Sequence, residues 1–158
     1  DDDVYRMVIE ILNGEVYGQR WLKPLLLMIE HEHSEPAKIV YMDLKRVDIE
    51  HILPIEWKNS GYWQKYWKES EARKWLNKLG NLTLLYSRIN RSIQNAPFPK
   101  KLEYYKGHEK EAPTSFILTR SIYDLKDWTP KEAMGRHKWI ISEISKILGI
   151  PLEYIANL

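Results

Sequence analysis

Apolar residues recur at helical spacing near both ends of the chain, and shorter β-branched runs interrupt that period in the middle. Residues 3–13 bring Val4, Met7, Val8, Ile11 and Leu12 to helical spacing, with Asn13-Gly14 as a stop signal. Residues 20–32 predict a second helix with a broad apolar face, in which Pro24 is tolerated in the first turn. From Lys38 to Ile52, the residues Ile39, Val40, Tyr41, Val47, Ile49 and Ile52 predict one or two extended pieces. Helical period returns over residues 62–79, where Tyr62, Trp63, Tyr66, Trp67, Trp75, Leu76 and Leu79 are apolar and Gly80 serves as a C-terminal cap. A strand over residues 81–86 follows, then a helix over residues 88–95 capped by Ser87 and stopped by Pro97. Residues 100–105 read as a short helix, 109–114 as a loop and 115–125 as a buried helix. The capping box Thr129-Pro130-Lys131-Glu132 opens a last long helix that runs to Gly149.

This pattern describes one mostly helical α+β domain, without internal repeat or long linker. A chain of 158 residues, 44% hydrophobic and 29% charged, can bury a sizeable core, which is where most of its seven tryptophans and ten tyrosines are expected. The lack of cysteine excludes a disulfide framework, a thiolate nucleophile and a cysteine zinc site. The longest apolar run, Leu25 to Ile29, is too short to span a bilayer, and no signal peptide opens the chain, so a cytoplasmic protein is expected. The start at Asp1-Asp2-Asp3, without methionine, leads to the expectation of a piece of a longer protein.

Charge changes the picture more. Residues 1–50 hold six basic and eleven acidic side chains, residues 51–110 twelve and five, and residues 111–158 six of each. A basic middle third with interleaved aromatics favours an anionic partner such as nucleic acid, although solvated helix faces produce the same excess. The segment His31-Glu32-His33 lacks the four-residue spacing that places two histidine ligands on one helical face, and His108 and His137 read as ordinary surface or helix residues.

Chemistry concentrates in Asp48-Ile49-Glu50-His51-Ile52-Leu53-Pro54. A carboxylate and an imidazole adjoin at a strand end, where a regular strand sends neighbours to opposite faces and Pro54 supports a bend. A neutral imidazole takes a proton from water near neutral pH, and a carboxylate with amide oxygens suits a hard cation such as Mg2+.

Together, Glu50-His51-Ile52-Leu53-Pro54, Leu79-Gly80-Asn81-Leu82-Thr83-Leu84-Leu85, and then Asn90, Asn95, Phe98 and Lys100 resemble the HNH, or His-Me finger, nuclease motif. The form is similar to the C-terminal nuclease domain of GmrSD-type modification-dependent restriction enzymes. The motif covers residues 48–101. The resemblance implies a ββα-metal core with a helical insertion and flanking helices, in a single domain over residues 1–158. It implies His51 as the general base, Glu50 and Asn90 as ligands of Mg2+ or Mn2+, Asn81 as the residue that braces the loop and orients His51, and Asn95 and Lys100 as supporting residues. Arg88, Arg91 and Lys101, with Lys100, are expected as phosphate contacts from charge and placement. The implied activity is DNA cleavage in a bacterial defence system, with a nucleotide-hydrolysing sensor domain N-terminal to this chain as partner. The alternative is a nucleic-acid-binding module with the same fold and no independent activity. About thirty residues between His51 and Asn81 imply that the Trp-rich segment is inserted inside the motif.

Overall fold

The computed structural model describes residues 1–34, 44–107 and 116–158, so residues 38–43 of the stretch expected to be extended, the loop at 109–114, Ser115 and His108 lie outside the described residues. Among the described residues the protein is mostly helical with one small antiparallel sheet, an α+β fold. Helices α1 (Asp2–Asn13) and α2 (Leu22–Glu32) open the chain. Strand β1 (Val47–His51) follows and pairs with β2 (Leu82–Tyr86) in the register Val47↔Tyr86 to His51↔Leu82. Between the strands lie α3 (Gly61–Tyr66), α4 (Glu69–Trp75) and a 3-10 turn, Leu79–Asn81. After β2 come α5 (Ser87–Ile93), α6 (Phe98–Tyr105), the short α7 (Ile117–Arg120) and the long α8 (Pro130–Leu148).

The helix expected over residues 62–79 is two helices, because the backbone is extended at Trp67 and Lys68. The break turns three indoles inward: Trp63 is fully buried, Trp67 donates to the carbonyl of Trp128 at 2.7 Å, and Trp75 lies under α8. Gly80 is not a helix cap. It sits in the 3-10 turn, where a Cβ would overlap the Ala133 carbonyl and the His137 Cβ, so glycine is there for close approach to α8. Ser87 begins α5 rather than capping it, and its hydroxyl donates to Asp48 instead. Of the helix expected over residues 115–125, only Ile117–Arg120 is helical, with turns beyond. The Thr129 capping box and the left-handed Gly149 at the end of α8 agree with expectation.

Two apolar clusters flank the strands. One joins Ile9, Leu12, Leu22, Leu26, Ile29, Leu82, Leu84, Ile140 and Ile144. The other is rich in tryptophan and joins Ile52, Leu53, Trp57, Trp63, Trp67, Trp75, Leu85, Ile89, Phe98 and Trp128. Strand alternation explains the division, since Leu84 and Leu85 face opposite ways and both are completely buried. With helices covering both faces, the short sheet becomes the floor on which α5 and α6 are placed.

Candidate active site

Within β1, Asp48 and Glu50 share one face, and each meets a different helix. Asp48 accepts from Ser87 Oγ at 2.7 Å and from Asn90 Nδ2 at 3.2 Å, both on α5. Because its amide nitrogen is held by a carboxylate, Asn90 turns its carbonyl oxygen the other way. Glu50 accepts at Oε1 from Lys101 Nζ at 2.5 Å and from the Tyr105 hydroxyl at 3.3 Å, both on α6. Lys101 also donates to the carbonyl of His51 at 2.7 Å.

Lys101, expected on the surface against phosphate, has no exposed surface at all; the correction follows from its pairing with buried Glu50. Burial pushes the Glu50 carboxyl up and the Lys101 ammonium down, and each holds the other's charge against that push. Burial next to Glu50 raises the Tyr105 phenol as well, which keeps it a neutral donor.

His51 ends the strand, and its Nε2 lies 3.0 Å from Asn77 Oδ1. An amide oxygen only accepts, so Nε2 carries the proton and Nδ1 keeps its lone pair. Burial, more than the opposing bond from Asn77, lowers the affinity of this imidazole for a second proton, and nearby Lys101 acts in the same direction. At neutral pH the ring is therefore a neutral base. The Tyr17 ring packs against it edge-on, with centroids 4.3 Å apart.

The amide bonded to the imidazole is that of Asn77, not Asn81. Asn81 does brace the loop: Oδ1 accepts from Leu53 N at 2.8 Å and Trp128 Nε1 at 2.9 Å, while Nδ2 donates to the carbonyls of Leu53 and Leu76 at 3.0 Å each. All four bonding positions of the amide are used, inside the protein and with no exposure. Asn81 thus fixes the chain after His51 without touching the imidazole.

The expected convergence is present. Glu50, His51, Asn90 and Asn95 line one cavity of about 210 Å³, with Tyr17, Pro54, Glu56 and Gln94 around it. A regular strand sends Glu50 and His51 to opposite faces. Both nevertheless line this cavity at the end of β1. Arg88 and Arg91 lie on the exposed side of α5, and Lys100 on the surface pairs with Glu103 at 2.9 Å; none of the three lines this cavity. Asp48, Asn77, Tyr17 and Tyr105 were not anticipated. For Asp48 a signal existed, since residues two apart on a strand share a face.

No three His, Cys, Asp or Glu side chains among the described residues cluster as a metal site. Glu50 and Asn90 line the same cavity, and Asp48, bonded to Asn90, lines the adjoining one; carboxylate and amide oxygens are donors of the kind a hard cation takes. Both protein bonds to Glu50 fall on Oε1, and the residue faces the cavity. Glu50 and Asn90 are two oxygen donors of this cavity that a divalent ion could take.

The sequence matches the family described as GmrSD restriction endonucleases, C-terminal domain, over residues 2–143. This chain belongs to that family and is a nuclease domain of restriction-endonuclease type. No curated protein matches it. Among the described residues no helix is long and apolar enough to cross a membrane.

Proposed function

We propose that the domain is a metal-dependent DNA endonuclease of the HNH (His-Me finger) class, acting in bacterial defence against phage or other foreign modified DNA. The observation that carries this reading is the shared cavity of His51, Glu50 and Asn90, reached from β1 and α5. Nδ1 of His51 accepts a proton from water as the water oxygen attacks phosphorus, and the 3′ oxygen opposite departs with the bonding pair and takes a proton from solvent, leaving a 5′ phosphate and a 3′ hydroxyl. Asn77 keeps the imidazole in the tautomer that does this. Glu50, Asn90 and, beside them, Asp48 would hold the divalent ion, which when bound offsets negative charge on the phosphate and the leaving oxygen. Lys101 and Tyr105 keep the Glu50 carboxylate in place from the protein side.

Target choice is assigned to a nucleotide-hydrolysing sensor part N-terminal to this domain, as the resemblance implies, and the site of action to the bacterial cytoplasm. The test is incubation with supercoiled plasmid and Mg2+ or Mn2+. Nicking that EDTA abolishes is expected, together with a loss of about 10²- to 10⁴-fold in His51→Ala. Wild-type rates in His51→Ala would remove His51 as the base. A gel shift with the plasmid intact would select the binding-module alternative.

A further inference from the structure

A second cavity, of about 430 Å³, adjoins the first and shares Tyr17, Ile49 and Asn90 with it; its other walls are Gly18, Gln19, Arg20, Lys23 and Asp48. Five of these residues belong to the α1–α2 connection and the first turn of α2, a region whose pattern predicted only core helices. The connection is not a free tether. Val16 N and Tyr17 N both donate to the carbonyl of Asn77, at 2.9 and 3.2 Å, and Gln19 N returns to Val16 O at 3.1 Å. Gly18 makes the turn between them at φ +91, where a side chain would be strained. Val16 is wholly buried below.

We infer that this second cavity is a phosphate-binding subsite for the DNA strand beside the scissile bond, with Arg20 and Lys23 as its cationic contacts. The inference rests on the nuclease reading above and adds the path of the substrate. Charge complementarity supports it. Among the described residues, the lining of the first cavity offers carboxylates, amides and an imidazole but no Lys or Arg, and Lys101 is buried on Glu50. Arg88, Arg91 and Lys100 do not line it. A polyanion whose scissile phosphate enters there needs positive charge on the adjoining phosphates, and Arg20 and Lys23 lie in the cavity that continues from it. An arginine suits this role because its planar fork binds phosphate oxygens in pairs. Tyr17, 46% exposed, stands on the boundary of the two cavities and separates the reacting phosphate from its neighbour.

The test compares wild type with Arg20→Ala/Lys23→Ala, and with Lys131→Ala/Lys138→Ala on α8 as a control for lost charge. Binding of a fluorescein-labelled 20-base-pair duplex is followed by anisotropy in EDTA across a salt series, and plasmid nicking is measured in Mg2+. Circular dichroism melting of each protein reports folding. For the Arg20/Lys23 pair, affinity about tenfold or more below wild type is expected, with a salt slope shallower by roughly one per cation removed. The control pair should bind within about twofold of wild type. If the Arg20/Lys23 pair is folded and keeps wild-type affinity and slope, the subsite is wrong and the nuclease reading stands. If the control pair loses as much as the Arg20/Lys23 pair, the effect is net charge, and the subsite is also wrong. If wild type itself neither binds nor nicks DNA, the nuclease reading falls and the subsite with it.

Discussion

Glu50 and Lys101 form a buried ion pair whose two members were given separate tasks by sequence reasoning, one at the metal and one at the phosphate. Their pairing at 2.5 Å, inside the protein, makes each the condition for the other. Removing only Lys101 leaves the largely buried Glu50 carboxylate without the charge that offsets its burial. Lys101→Met is therefore expected to cost about 3–5 kcal/mol of stability by urea unfolding, whereas Glu50→Gln combined with Lys101→Met should recover most of it and still lack activity. His51, Glu50 and Asn90 were legible because their types and spacing spell a motif. Asn77 and Tyr17 were not, because each reaches His51 from an element whose approach depends on tertiary docking. Asn81 was legible as a brace, and its four bonds show why an amide is needed: an aspartate could not donate to the two carbonyls it faces.

At the level of elements, helix existence was read well and helix continuity less so. Residues 62–79 carry an apolar period that suits one long helix, yet the period does not record that the bulky indoles at 63, 67 and 75 need different directions to be buried. α1 teaches a similar lesson. It buries Ile9 and Leu12, with Tyr5 and Val8 packed beside them, and leaves Val4, Met7 and Ile11 about half exposed. Its sequence supports two apolar stripes, and periodicity alone does not choose between them. Helix α8 does more than fill the core. Arg136 donates to the carbonyls of Leu79, Gly80, Leu82 and Leu118, and His137 Nδ1 accepts from Gly80 N at 3.1 Å. This helix holds the turn that carries Asn81. Gly80→Ala should push α8 from the turn, lowering stability by about 1–3 kcal/mol and slowing plasmid nicking, as thermal melts and the nicking assay would register.

Across the whole molecule, His137 ties three distant parts together and is not the ordinary helix residue expected. Its Nε2 lies 2.9 Å from Asn13 Oδ1 at the end of α1, while Nδ1 serves Gly80. Burial, reinforced by Lys78 and Lys74, brings its pKa from 6.5 down to about 4. Between those values the unfolded chain takes up a proton that the folded protein refuses. The stability supplied by neutral His137 is thus complete above pH 6.5 and is lost as the pH falls through 4. The loss is on the order of 3 kcal/mol, and urea titrations at pH 7 and pH 4.5 should show much of it in wild type and little in His137→Gln.

The bonds of Asn77 have a consequence for catalysis. Its side chain fixes the His51 imidazole, and its main-chain oxygen anchors the loop that carries Tyr17 and Arg20. On the proposed mechanism and subsite, grip on the substrate and readiness of the base meet at one peptide unit. A strand of DNA that draws on the loop also draws on the support of the imidazole, so arrival of substrate becomes audible at the reacting nitrogen. The ring-nitrogen resonances of His51 should accordingly move when oligonucleotide is added to wild type, and lose most of that response in Asn77→Ala.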